Sequence, residues 1–145
     1  MGLAALFAWM GTVLVGLVLL VIWLMEYDRD FQTLAATRLP VPVISAHALL
    51  GVGGLLVWGF YLVTDDDPLA WAAVAGLGIV VLLGLVLAAR WLSVYRAYAA
   101  PGPSSARLVA VPPERRFPIP VIVIHGICAF TTLALVLLAG FFTGS

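Results

Sequence analysis

Two histidines, His47 and His125, stand inside long apolar runs of this 145-residue chain. A neutral imidazole offers one ring nitrogen as an electron-pair donor and the other as a hydrogen-bond donor, which suits it to ligate a metal. The two occur in matching surroundings. Arg38-Leu-Pro-Val-Pro-Val-Ile-Ser-Ala-His47 overlays Arg116-Phe-Pro-Ile-Pro-Val-Ile-Val-Ile-His125 at an offset of 78 positions, with Arg, both Pro, Val, Ile and His identical. Proline is tolerated in the first turn of a helix, where its missing N–H is no loss, so each Pro-x-Pro marks a helix start. Val41 and Ile119, each preceding a proline, are expected to be extended. Each histidine follows its second proline by five residues, about 7–8 Å along a helix at 1.5 Å per residue. Both rings are therefore expected at one depth on parallel helices.

The elements that must carry them are membrane helices. Hydrophobic residues make up 64% of the chain and charged ones 10%, with a mean hydropathy of +1.18, well outside the balance of soluble domains. A crossing of the hydrocarbon core takes about 20 apolar residues, and four such runs occur, at 3–25, 41–63, 69–91 and 120–142. The first lacks a basic leader and a small-residue cleavage site, so it reads as a helix rather than a signal peptide. The expected fold is all-α, an integral membrane four-helix bundle. The 78-residue offset spans one hairpin, which implies two parallel helical-hairpin repeats, about 1–63 and 69–142, related by an axis along the membrane normal.

All seven basic residues are arginines, and they fall between the first and second runs (Arg29, Arg38) or at and beyond the end of the third (Arg90, Arg96, Arg107, Arg115, Arg116). The remaining connection carries Asp65, Asp66 and Asp67. The positive-inside rule then puts the arginine loops in the cytoplasm and both termini outside a cell (plasma) membrane. Trp9, Trp58, Tyr61, Trp71 and Phe141 are expected as interfacial anchors at the outer face, and Trp23, Tyr27, Trp91, Tyr95 and Phe117 at the inner. A net charge of zero argues against a nucleic-acid partner. Cys128 is the only cysteine, so no intrachain disulfide forms.

Positions i, i+4 and i+7 share a helix face, which groups His47 with Gly51 and Gly54, and His125 with Ala129 and Thr132. Small residues there allow close helix approach or leave room for a flat prosthetic group. Two level imidazoles on parallel helices of a bundle are what axial ligation of a haem iron from both sides requires. Arg38 and Arg116, with Arg115, lie just cytoplasmic of them and suit haem propionates. Ser45, Thr131 and Thr132 offer minor polar contacts.

On the histidine-bearing helices the arrangement resembles membrane b-type cytochromes, which hold haem between histidines of two parallel spans. The resemblance implies haem b as cofactor, His47 and His125 as axial ligands, and electron transfer as the function. Many such cytochromes carry two histidine pairs stacked across the bilayer, whereas this chain has one.

Other readings of the same residues remain open. The histidines could pack or hydrogen-bond inside an accessory subunit of a larger membrane complex, or contact a quinone. His47, His125 and Cys128 could form a soft-metal site, set against Cys128 as a small apolar filler. Ala72-x-x-x-Gly76 matches the small-x-x-x-small packing pattern, within the bundle or against another subunit or a second copy. The Asp triplet reads as a polar turn, Glu26, Asp28, Arg29 and Asp30 as a solvated helix end, and 99–105 with Pro112-Pro113 as an irregular loop. No continuous polar path suggests a transporter, and nucleophile and phosphate-loop motifs are missing.

Overall fold

The computed structural model describes residues 1–33, 37–99 and 112–142. They form four helices, α1 (Gly2–Thr33), α2 (Val41–Thr64), α3 (Asp67–Ala99) and α4 (Ile119–Phe142), and one 3-10 turn, Pro113–Arg116. Each helix is long and apolar enough to cross a membrane. Phe7, Leu14, Phe60, Leu82 and Phe130 project outward and are exposed, as lipid-facing side chains of a helix that is hydrophobic all round must be. Helices α1 and α3 run eight residues past the apolar stretches that end at Met25 and Trp91. Hydropathy marks where the apolar stretch ends, but the backbone ladder continues past it through more polar residues, with no proline or glycine to break it.

The Pro-x-Pro pairs start α2 and α4. The carbonyl of Pro40 accepts N–H bonds from Val43 (2.9 Å) and Ile44 (3.1 Å), and that of Pro118 from Val121 (3.0 Å) and Ile122 (3.3 Å). The second prolines thus sit where no N–H is needed. Val41 and Ile119 are the first helical residues rather than extended ones. The steric bias against helix before proline is a preference, and here the bonds to the preceding proline carbonyl close the turn around it. Extension moves one residue back, to Pro40 at φ −67°, ψ 112°.

The Asp triplet is the polar turn expected of it. Asp65 adopts the left-handed conformation (φ 55°) that ends α2, donating its N–H to Tyr61 O at 2.8 Å, and Asp66 O accepts from Leu69 N–H at 2.9 Å. Pro112 and Pro113, expected in irregular chain, are buried and lead into the 3-10 turn. Residues 100–111, and the side chains of Asp28, Arg29 and Asp30, lie outside the described part.

Around the bundle each helix neighbours the next, α1 to α2 to α3 to α4 and back to α1, with α2–α3 and α1–α4 the closest pairs. Among the described residues, α2 and α4 stand diagonally opposite with no close backbone approach. The half nearest the Asp turn is filled by Ala5, Trp9, Trp58, Tyr61, Ala73, Leu77 and Val136. Trp9, Trp58 and Tyr61 are core residues there, not the interfacial anchors expected, with 2%, 0% and 4% exposure. Their burial is possible because both indole N–H groups find carbonyls inside, Gly51 O at 3.0 Å for Trp9 and Gly2 O at 3.2 Å for Trp58. Trp71 and Phe141 do face outward, edge to face at 6.2 Å.

Candidate functional site

The half of the bundle nearest the arginines is hollow. A cavity of about 430 Å³ lies between the helices and is lined by apolar side chains, with His47 and His125 on its wall. That volume is in the range of small-molecule and cofactor pockets. Because their helices are diagonal, the imidazoles meet across the bundle: ring centroids are 6.2 Å apart and the planes make 73°.

Each ring is held by the helix next to its own. His47 Nδ1 lies 3.0 Å from Val80 O on α3, and His125 Nδ1 lies 3.2 Å from Thr12 O on α1. A carbonyl only accepts, so in both bonds Nδ1 carries the proton, and the lone pair of the neutral ring is on Nε2. Among the described residues neither Nε2 has a hydrogen-bond partner. One turn beyond each carbonyl stands a glycine at the Cε1 edge of the ring. A β-carbon on Gly84 would lie 3.0 Å from His47 Cε1, and one on Gly16 would lie 2.9 Å from His125 Cε1. Both glycines leave the space that the imidazoles fill.

The wall of the cavity brings together His47, His125, Gly51, Ala129 and Thr132 of the expected residues. Thr132 is buried and shares a 2.8 Å hydroxyl contact with Thr12. Gly54, Arg38 and Arg116 are not part of that wall. Gly54 makes room for Trp9, whose Cζ2 would be 2.7 Å from an added β-carbon. Arg116 pairs with Glu26 at 2.6 Å, and the backbone N–H of Arg38 donates to Glu114. Arg115 lies over the Tyr95 ring, 4.5 Å from its centroid. Ser45 and Thr131 face outward, Thr131 bonding Ile127 O at 2.9 Å. Among the described residues no group of three or more His, Cys, Asp or Glu side chains is placed to hold a metal, so Cys128 does not complete a three-ligand site.

No protein-family profile, curated protein or solved structure matches the chain.

The partners of the histidines had a signal in the sequence that the 78-residue offset hides. At an offset of 68, Gly16-Leu-Val-Leu, Trp23-Leu and Tyr27 of α1 overlay Gly84-Leu-Val-Leu, Trp91-Leu and Tyr95 of α3. The two offsets differ by ten because Pro118 follows Tyr95 by 23 residues, whereas Pro40 follows Tyr27 by 13. The overlay pairs Thr12 with Val80 and Gly16 with Gly84, the residues that hold and cradle the two rings. It also pairs two aromatic contacts, Trp23 stacked on Tyr27 at 4.8 Å and Trp91 tilted against Tyr95 at 5.4 Å. Trp23 Nε1 reaches Thr37 Oγ1 at 3.3 Å, whereas Trp91 Nε1 is buried without a partner among the described residues.

Proposed function

We propose that the chain is a b-type cytochrome, or the haem-bearing subunit of a membrane redox complex, with one haem held between His47 and His125. The observation that carries this reading is the pair of imidazoles on the wall of one apolar cavity, each with Nδ1 bonded to a backbone carbonyl and its lone pair left on Nε2. A ring N–H given to a backbone carbonyl is the usual outer-shell partner of a metal-bound histidine, setting its tautomer and orientation. The ring centroids are 6.2 Å apart, so His47 and His125 would be the residues to hold the haem between them. A quinone suits the pair less well, since its carbonyls need donors and both ring N–H groups are already used.

When bound, the haem supplies one-electron chemistry. The chain's part is to hold and surround it. Val80 O and Thr12 O orient the rings, Gly16 and Gly84 let the Cε1 edges come close to the neighbouring helices, and the wall around them is apolar. We further infer two hairpin repeats related by a twofold axis along the bundle, supported by the paired contacts of the two histidines and the overlays at 78 and 68 residues. The arginine loops are assigned to the cytoplasmic side of a plasma membrane from the charge distribution, which places the single haem near that side and any second redox centre in a partner.

The test is an optical spectrum. Detergent-solubilised protein is expected to show a Soret band that shifts on dithionite reduction and is lost in both His47→Ala and His125→Ala. A colourless protein after haem supplementation would overturn the assignment. It would favour the accessory-subunit reading, in which the same Nδ1 bonds only bolt α2 to α3 and α4 to α1. Copurification of fixed partners, unaffected by histidine substitution, would support that second reading.

A further inference from the structure

The segments that lead into the two histidine-bearing helices are tied to each other by one buried carboxyl group. Glu114, in the 3-10 turn before α4, has 0% exposure. Its Oε1 accepts the backbone N–H of Arg38 at 2.7 Å, and its Oε2 accepts the hydroxyl of Thr37 at 3.0 Å. Thr37 Oγ1 in turn accepts the N–H of Leu39 at 3.2 Å and the indole N–H of Trp23 at 3.3 Å. Both lone pairs of that hydroxyl are thereby used, and its proton is committed to Glu114.

Burying a carboxyl group is costly unless its oxygens are bonded, and the place where this one is buried has a geometric meaning. Pro40 follows Arg38 by two residues and Pro118 follows Glu114 by four, and the carbonyls of these prolines begin α2 and α4. The two helices make no close backbone approach to each other, so their relative height is set through α1, α3 and the segments that precede them rather than by direct backbone packing. A slip of one residue would move an imidazole by about 1.5 Å along the axis. The 78-residue overlay sets Ala36 against Glu114 and Arg115 against Thr37. The clasp therefore occurs once, and one is enough to join the two starts.

The geometry points to Glu114 as a positioning residue for the imidazole pair: by clasping Thr37 and Arg38 it holds the starts of α2 and α4 in register and keeps His47 and His125 level across the cavity. Its effect on haem rests on the cytochrome reading; its effect on helix register does not. Glu114→Ala removes both links. Glu114→Gln keeps an acceptor for Arg38 N–H but sets an amide N–H against the Thr37 hydroxyl, and Thr37→Val deletes that hydroxyl, so two milder variants are at hand if the alanine protein does not fold.

Two measurements on the full-length protein test the assignment. Spin labels at Ser45→Cys and Val123→Cys, on a Cys128→Ser background, report the α2–α4 distance by double electron–electron resonance. The expected result is a narrow distribution in the parent that broadens or shifts in Glu114→Ala, with smaller changes in Glu114→Gln and Thr37→Val. In haem-loaded protein, the low-spin spectrum of two-histidine ligation is expected to give way to a high-spin component in the same order, while Glu26→Ala, which removes the acceptor of Arg116 in the same 3-10 turn, leaves it low-spin. Unchanged distances and an unchanged low-spin spectrum in Glu114→Ala or, if that protein does not fold, in both milder variants would overturn the proposal. A parent that binds no haem but shows the distance change would overturn the cytochrome reading and keep the clasp.

Discussion

Adding one methyl group at Gly84 is the sharpest probe of how the histidines are held. The β-carbon of Gly84→Ala would stand 3.0 Å from His47 Cε1, where carbon atoms prefer about 3.5–4.0 Å. The ring must withdraw from α3 by a few tenths of an ångström, and its bond to Val80 O, now 3.0 Å, then stretches towards the limit of a hydrogen bond. Overpacking of this kind costs about 1–3 kcal/mol, and the weakened hydrogen bond adds about 1 kcal/mol. At about 1.4 kcal/mol per tenfold, haem affinity measured by absorbance titration should fall tenfold or more. Gly16→Ala, with its β-carbon 2.9 Å from His125 Cε1, should produce a loss of similar size. Gly76→Ala and Gly78→Ala meet nothing within 4 Å and should titrate like the parent. Parent-like haem binding in both Gly16→Ala and Gly84→Ala would refute the reasoning that the glycines seat the imidazoles.

Four further outcomes are expected. Trp9→Phe keeps most of the buried ring and loses the bond to Gly51 O, so stability in detergent should drop by about 1 kcal/mol, read as a lower midpoint of chemical unfolding. Thr132→Val preserves shape and deletes the hydroxyl contact with Thr12; membrane hydrogen bonds of this kind average about 0.6 kcal/mol, and a loss above about 2 kcal/mol would show a larger role for the pair. Arg116→Ala breaks an ion pair whose guanidinium side is 55% exposed, a change worth under about 1 kcal/mol; a tenfold loss of haem affinity would instead bring this arginine to the propionates. Asp65→Gly relieves the left-handed backbone at the end of α2 and should leave stability equal or raised by up to about 1 kcal/mol in the same unfolding assay.

The helices and the histidine pair were legible because hydropathy and proline placement are local signals. Four apolar runs gave four helices, and the Pro-x-Pro pairs started α2 and α4 where expected, although Val41 and Ile119 turned out helical. The histidines' holders were not legible from those signals. Val80 and Thr12 act through backbone carbonyls, which any residue provides, and Gly16 and Gly84 resemble ordinary packing glycines until the partner helix is known. The unequal arginine-bearing connections also broke the overlay into two offsets, so one sliding comparison aligned α2 with α4 and missed α1 with α3. Trp9, Trp58 and Tyr61 were misplaced for a related reason. A tryptophan near a helix end looks alike in sequence whether it faces headgroups or a carbonyl of the next helix.

Each imidazole is anchored on a helix from the other half of the chain, His47 on α3 and His125 on α1, and this bears on biosynthesis. When the first two helices have entered the bilayer, His47 has as yet no carbonyl of α3 to grip, and the surface of α1 that will seat His125 is bare. The pocket comes into being only when the last helix slides in beside the first. A chain lacking α4 would therefore lack the pocket, and the haem proposed for it would find both of its histidines in place only after α4 has joined the bundle.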